Sequence, residues 1–242
     1  MLDYILLEVR RTLRDKGFVV FGIGMPVLMY VLMTNIGTGP GGAAMEWKIA
    51  SMVGMAAYGA LGSAIGIGTG VAEDKQLGWL RQLRITPLSP IRVVVARGLT
   101  STVTVLPALA SVLLVGALVN GVRMPGWQWV ALAAVLWLGT APFTLLGLGN
   151  GYRLSSQSTG LVNTGCMLLL SIIGGLWFPT ELFPGWLRSL SSWTPGNRFA
   201  ELGRSVTEGG APGLATVAVM AAWLALFGGY AVYAYRRAAR TV

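Results

Sequence analysis

Six long stretches without a charged side chain divide this chain, and they constrain its fold more than any other feature. The shortest has 24 residues, and together they cover residues 17–45, 49–72, 98–122, 124–152, 154–180 and 209–235. A helix of about 20 apolar residues crosses the roughly 30 Å hydrocarbon core of a bilayer, and backbone groups in lipid must be paired internally. The pattern predicts an all-α integral membrane protein with six transmembrane helices, forming a single domain over residues 1–242.

The few charged residues predict the orientation of these helices. Only 11% of the residues are charged, against about 25% in soluble domains, yet the net charge is +9. With a cytoplasmic N-terminus, 13 of the 18 Lys and Arg residues fall in cytoplasmic segments. The positive-inside rule then places both termini in the cytoplasm. The basic excess is explained by membrane topology, and no nucleic acid partner is expected.

Residues 1–16 precede the first uncharged stretch. Apolar side chains recur there at helical spacing, with basic side chains on the other side; the apolar set is Leu2, Ile5, Leu6, Val9 and Leu13. This predicts an amphipathic helix lying on the inner leaflet of the bilayer. A simple basic anchor before the first span is the other interpretation.

Small residues recur at every fourth position along the second stretch. One ridge contains Gly62, Gly66 and Gly70, and a second contains Ala56, Ala60, Ala64 and Gly68. Small residues at this spacing let helix backbones approach closely in lipid. We expect Gly62, Gly66 and Gly70 to pack within the helix bundle or at a dimer interface.

The residues that common catalytic and nucleotide sites require are missing. The chain has no His and one Cys, Cys166, and its lysines follow Asp15, Trp47 and Asp74, so a GxxxxGK[ST] phosphate loop is excluded. The uncharged stretches lack the buried carboxylates typical of ion-driven carriers. We therefore expect neither enzyme activity nor a bound cofactor or metal, and energy for transport must come from a partner.

The spans still offer hydroxyl and amide groups to a substrate. The candidates are Thr34, Asn35, Ser51, Ser63, Thr104, Asn150, Asn163 and Thr164.

Two connections are too long to be simple turns, a cytoplasmic segment at 73–97 and an outer segment at 178–210. The first contains EDKQLGWLRQLRITPLS and resembles the cytoplasmic loop of ABC-2 type exporter permeases; the matching positions are Gly78, Leu80, Leu83, Thr86, Pro87, Leu88 and Ser89. The second resembles the outer hairpin of the same family; the matching positions are Gly174, Phe178, Pro179, Leu182, Pro184, Trp186, Leu187, Pro195, Glu201, Leu202 and Arg204.

The resemblance implies the permease subunit of an ATP-driven exporter in a bacterial cell membrane. Two permease copies, as a homodimer, would pair with two copies of an ABC ATPase subunit that binds ATP and Mg. The drug-resistance branch that includes daunorubicin-exporter-like permeases is the nearest kind. Trp79 and Arg81 depart from the residues common in this loop, which affects the choice of ATPase. The composition, with 15 Arg against three Lys and abundant Ala and Gly, suggests a high-GC source.

The resemblance also assigns roles to residues in the two long segments. Contacts with the ATPase subunit are expected from Glu73, Gly78, Leu80, Arg81, Leu83, Arg84, Thr86 and Pro87. An outer gate is expected from Phe178, Pro179, Pro184, Trp186 and Pro195, on short re-entrant helices between spans five and six. An interfacial anchor held by its aromatic side chains is a second interpretation of that segment.

Two functions remain open from the sequence. The first is an exporter subunit for an apolar or amphipathic compound. The second is a passive channel or stand-alone membrane scaffold, which the uncharged spans and the glycine ridge also allow.

Overall fold

The computed structural model describes residues 17–36, 43–76, 98 and 103–240, and within these ranges the regular structure is helical. The α-helices are α1 (Met25–Ile36), α2 (Ala43–Gln76), α3 (Leu106–Leu118), α4 (Gly126–Gly139), α5 (Ala141–Arg153), α6 (Ser156–Ile173), α7 (Gly185–Ser191), α8 (Pro195–Thr207) and α9 (Leu214–Arg240). A π-helical segment, Phe18–Gly24, precedes α1, and 3₁₀ turns occupy Val103–Val105 and Thr180–Leu182. The predicted interfacial helix at 1–16 lies outside the described residues.

Each of the six uncharged stretches contains a helix. Three helical segments are long and apolar enough to cross a bilayer, Met45–Gln76, Gly126–Arg153 and Leu214–Ala239. Two shorter apolar helical segments, Gly22–Asn35 and Val103–Leu118, occupy the first and third stretches. The all-helical prediction is confirmed for the described residues, and these segments are those of a membrane-embedded protein.

Prolines mark where three of the helices begin. Pro26 follows the π-helical segment, Pro107 follows the 3₁₀ turn at Val103–Val105, and Pro142 follows the break between α4 and α5 at Thr140. Proline has no N–H and is tolerated in the first helical turn, where that group has no intrahelical partner. The fourth uncharged stretch is therefore two consecutive helices.

Helix α2 lies at the centre of the helix bundle and packs against α1, α3, α5, α6 and α8. Its contact with α5 is backbone to backbone. A Cβ atom added to Gly68 would lie 2.0 Å from the carbonyl oxygen of Gly147, and one added to Gly151 would lie 2.3 Å from that of Gly68. Only glycine permits this approach, which is the packing expected of small residues four apart on a helix in lipid.

Helix α5 is also packed tightly on its other side. A Cβ atom on Gly149 would lie 2.4 Å from the ring of Tyr230 on α9. The alternating glycines at 147, 149 and 151 thus let α5 fit between α2 and α9.

The two small-residue ridges of α2 have different surroundings. Ala56, Ala60 and Ala64 are completely buried. Gly62 packs against Met167 of α6, whereas Gly66 and Gly70 are exposed and face open space. Within one chain, the alanine ridge forms the bundle contact, and of the predicted glycine set only Gly62 joins it.

Candidate functional site

The connection from α6 to α9 forms a hairpin that inserts against the first half of α2. It turns at Gly174 and Gly175, the latter with φ of +70°. A Cβ atom on Gly174 would lie 2.7 Å from the carbonyl carbon of Gly196, so the two arms of the hairpin touch. A Cβ atom on Gly54 would lie 2.3 Å from the carbonyl oxygen of Leu176. Glycines on α2 and on both arms therefore seat the hairpin in the bundle.

Helix α8 is the inserted arm of this hairpin. Thr194 caps its start by accepting a hydrogen bond from the backbone N–H of Asn197. Phe199 is completely buried, and its ring centroid lies 5.3 Å from that of Phe143 on α5. At the other end of α8, the Gln128 side chain donates to the carbonyl oxygen of Val206 at 3.2 Å. Helix α8 is thus part of the core and contacts α2, α4, α6 and α9.

Helix α7 lies on the outside of the hairpin. Its Trp186 side chain is 71% exposed, and exposed apolar side chains flank it along the segment: Phe178, Leu182, Leu190 and Trp193. The Arg188 guanidinium donates to the carbonyl oxygens of Thr180 and Glu181, which ties α7 to the preceding turn. Exposed aromatic residues at one end of an apolar bundle suit the headgroup region of a bilayer.

The predicted gate residues therefore occupy two different environments. Pro195 begins the buried helix α8. Phe178, Pro184 and Trp186 are exposed, and Pro179 immediately precedes a 3₁₀ turn. The structure brings these five residues onto one hairpin but does not cluster their side chains around one point.

A buried hydrogen-bond network joins four helices of the bundle. The Tyr230 hydroxyl donates to Asn150 Oδ1 at 3.0 Å, and Asn150 Nδ2 donates to Asn163 Oδ1 at 2.9 Å. Asn163 Nδ2 donates in turn to the carbonyl oxygen of Ile65 at 2.9 Å. The network links α9, α5, α6 and α2. Asparagine side chains in lipid commonly hydrogen-bond across helices in this way.

This network changes the role of two predicted substrate groups, because Asn150 and Asn163 are buried and bond to each other and to the bundle. Thr34 and Ser63 are also buried and donate to the carbonyl oxygens of Tyr30 and Gly59. Of the polar residues that the sequence offered to a substrate, Asn35 and Thr164 are exposed. Tyr230 was not predicted, since nothing in its local sequence distinguishes it from a lipid-facing tyrosine.

The outward surfaces of α6 and α9 are both largely aliphatic. On α6 the exposed residues include Gln157, Ser158 and Thr164 but also Leu161, Val162, Leu168, Leu169 and Ile172. On α9 the largest exposed aliphatic side chains are Leu214, Val217, Leu224 and Leu226. Adjacent α2 differs in exposing Gly66 and Gly70, and small residues on an outward helix face let a second helix approach closely.

The end of α2 opposite the hairpin is fixed to α5 by Lys75. Its ammonium donates to the carbonyl oxygens of Gly151, Tyr152 and Leu154, at 3.2, 3.0 and 2.5 Å. A cation at a helix C-terminus satisfies unpaired carbonyls and interacts favourably with the helix dipole. The last turns of α2 and α5 are thus held together where the long 73–97 segment begins.

Of the residues expected to contact an ATPase, the structure describes only Glu73, which is exposed on the last turn of α2. The rest, Gly78, Leu80, Arg81, Leu83, Arg84, Thr86 and Pro87, lie outside the described residues.

The chain is similar to known transport proteins. A family model described as "ABC-2 family transporter protein" matches residues 41–234, from the start of α2 to the second half of α9. A Bacillus subtilis (strain 168) protein that carries the name transport permease YvfS is 25% identical over 223 residues, covering 92% of this chain and 91% of that protein.

Proposed function

The chain belongs to the ABC-2 family of transporters, and on that premise we propose that it is the membrane-spanning subunit of an ABC exporter. A separate ATPase subunit would bind ATP and Mg and supply the energy. The observation that carries this proposal is the family match, which covers α2, the hairpin and the segment between them and includes the sequence motif at 73–89.

Six spans with both termini in the cytoplasm are the topology we propose. The Lys75 end of α2 then faces the cytoplasm and the hairpin faces outward. The distribution of basic residues supports this orientation, as does the exposed aromatic surface around Trp186, which suits the outer headgroup region.

The transport pathway, in this proposal, runs along the exposed face of α2 and α6 where two copies of the chain meet. Exposed Gly66 and Gly70 support this choice, because small residues on an outward helix face let a second helix approach closely. The lipid-facing side would be α9. The full transporter would then hold two permease and two ATPase copies and carry an apolar or amphipathic compound.

Coupling to the ATPase is proposed to occur through the 73–97 segment and the N-terminal helix. A short helix carrying Leu80 and Leu83 would dock into a groove of the ATPase. Movement of this docked segment would reach the bundle through α2, whose last turn Lys75 joins to α5. The fixed junction supports this route because it leaves α2 and α5 little freedom to move separately.

The test is co-purification of the chain with the ATPase encoded next to it, followed by transport-linked ATPase assays in liposomes. Leu80→Asp combined with Leu83→Asp should abolish complex formation. Leu182→Asp, at an exposed leucine on the opposite end, is the matched control and should leave the complex intact. Stable complexes and unchanged ATPase activity in the double variant would contradict the coupling role.

Reconstitution without the ATPase tests the second function. Flux of solutes through the chain alone would favour the passive channel. The observation that supports this alternative is the unoccupied space beside Gly66 and Gly70 on α2.

A further inference from the structure

A cavity of about 410 Å³ opens between the ends of α2, α5 and α9. Three positively charged residues line it, Lys75, Arg153 and Arg237, together with the tyrosines Tyr152 and Tyr233. No carboxylate belongs to its lining among the described residues. The described lining of the cavity is therefore positively charged.

Lys75 offsets the partial negative charge at the end of α5, which would otherwise disfavour an anion in this cavity. An ammonium group has three N–H donors, and here it contacts three backbone carbonyl oxygens at the end of α5. Without it, these carbonyls and the negative end of the helix dipole would repel an anionic ligand. With it, the α5 terminus is neutralised, and the side chains of Arg153 and Arg237 determine the charge presented to the cavity.

The two arginines suit a phosphate group. Both are exposed, and each lies beside a tyrosine hydroxyl, Arg153 beside Tyr230 and Arg237 beside Tyr233 at 3.5 Å. A guanidinium group carries five donors in a planar fork that matches phosphate oxygens.

The surroundings of the cavity favour a lipid over a soluble anion. Two of the helices that form it, α2 and α9, are apolar enough to span a bilayer. The surface of α9 leading away from the cavity is apolar and includes exposed Leu226. A molecule with a phosphate and acyl chains would match both parts, and basic pockets between transmembrane helices on the cytoplasmic side bind such head groups.

We propose that this cavity binds the phosphate of an acidic phospholipid. Arg153 and Arg237 bind the head group, and the acyl chains lie along α9. That the lipid belongs to the inner leaflet rests on the topology proposed above. The binding itself depends on neither the ATPase nor transport.

The experiment measures binding of a fluorescent phosphatidylglycerol to the purified full-length chain in neutral detergent. Unlabelled phosphatidylglycerol should compete, whereas phosphatidylcholine and inorganic phosphate at the same concentration should not. Arg153→Gln combined with Arg237→Gln should weaken the affinity about thirtyfold, since each cation near an acidic head group contributes about 1 kcal/mol. Arg153→Lys combined with Arg237→Lys keeps the charges and should retain most of the binding.

The matched control is Lys48→Gln combined with Arg123→Gln, which removes two charges from the opposite end of the bundle and should leave the affinity unchanged. Equal loss in the control and the cavity variant would overturn the assignment to this cavity. Competition by inorganic phosphate would replace the lipid with a soluble anion, and equal competition by phosphatidylcholine would overturn the preference for an acidic lipid. Failure to form an ATPase complex would leave this assay unaffected, so the two proposals fail separately.

Discussion

Gly68 of α2 and Gly147 of α5 meet so closely that a Cβ atom on Gly68 would lie 2.0 Å from the Gly147 carbonyl oxygen. The two atoms nearest to this Cβ position belong to the backbone of Gly147, so an added methyl group can be accommodated only by moving a backbone. The contact lies next to Asn163, whose amide nitrogen is 3.0 Å from the same Cβ position. Close helix packing and the buried polar network are therefore parts of one junction.

Gly68→Ala should destabilise this junction. Overpacking a tight contact costs about 1–3 kcal/mol, because the helices must separate to relieve the clash. The measurement is thermal unfolding of the purified chain in detergent. Gly229→Ala is the control, since a Cβ atom there meets nothing within 4 Å, and it should change stability by less than about 0.5 kcal/mol. Equal stability of the two variants would show that α2 and α5 are less closely packed than the contact between Gly68 and Gly147 indicates.

Asn150 and Asn163 should be energetically coupled. Each single change to Ala breaks the hydrogen bond between the two amides and leaves the remaining amide one partner short, whereas the double change removes both amides. A double-mutant cycle should give a coupling energy of about 0.5–1.5 kcal/mol, the range for hydrogen bonds between helices in lipid. The corresponding cycle between Asn150 and exposed Thr164 is the control and should give a value near zero. Additive effects of the two asparagine changes would contradict the network.

Lys75→Met should loosen the joined ends of α2 and α5. Three carbonyl oxygens lose a charged donor, which we expect to cost about 1–3 kcal/mol in unfolding free energy. Lys48→Met removes a lysine whose ammonium makes a 3.5 Å contact with the Asn120 carbonyl oxygen, so its effect should be smaller. Chemical unfolding of both variants, read by circular dichroism, checks the order, and a larger effect at Lys48 would be inconsistent with the junction.

Phe199 and Trp186 should respond very differently to truncation, although both are aromatic residues of the hairpin. Phe199→Ala leaves a cavity in the core and should cost about 3–5 kcal/mol. Trp186 is 71% exposed, so Trp186→Ala should change unfolding free energy by less than about 0.5 kcal/mol. Thermal unfolding in detergent decides this, and similar losses for both would mean that α7 is as buried as α8.

Cross-linking can test which face lies between two permease copies. In a Cys166→Ala background, Thr164→Cys should give oxidised dimers on a non-reducing gel, since the proposed subunit contact lies along α2 and α6. Leu226→Cys on the lipid-facing surface of α9 is the control and should remain monomeric. The reverse pattern would place the subunit contact at α9 and remove the proposed pathway.

The sequence predicted the helical class because long uncharged apolar stretches are typical of membrane-spanning helices, and such stretches can be recognised without knowing any tertiary contact. It also predicted a hairpin at 178–210, where prolines and aromatics interrupt the apolar pattern, and helices α7 and α8 occupy that segment. Spacing identifies a small-residue ridge but not the neighbour it faces. The sequence therefore leaves open whether Gly62, Gly66 and Gly70 pack within the bundle or at a dimer interface, and within one chain Gly66 and Gly70 lie on the open side of α2.

The polar network and the Lys75 junction could not be predicted from the sequence, because their partners are distant along the chain. Lys75 binds carbonyls more than 75 residues away. Because every residue has a backbone carbonyl, the sequence does not show which of them a lysine will bind. The alternating glycines at 147, 149 and 151 were the available signal, since they indicate a helix crowded on two sides. The same signal surrounds Asn150 and would have argued against a substrate-binding role for it.

Helix α2 runs without a break from Ala43 to Gln76, whereas the fourth uncharged stretch is divided at Thr140. At 1.5 Å per residue its length is about 51 Å. It touches the hairpin at Gly54, in its first half, and carries Lys75 in its last turn. Such a helix behaves as a stiff rod, and a rotation of about 5° about its midpoint would displace its two ends by about 2 Å in opposite directions. A small displacement of one end of α2 would therefore move its other end without any change in the conformation of the helix.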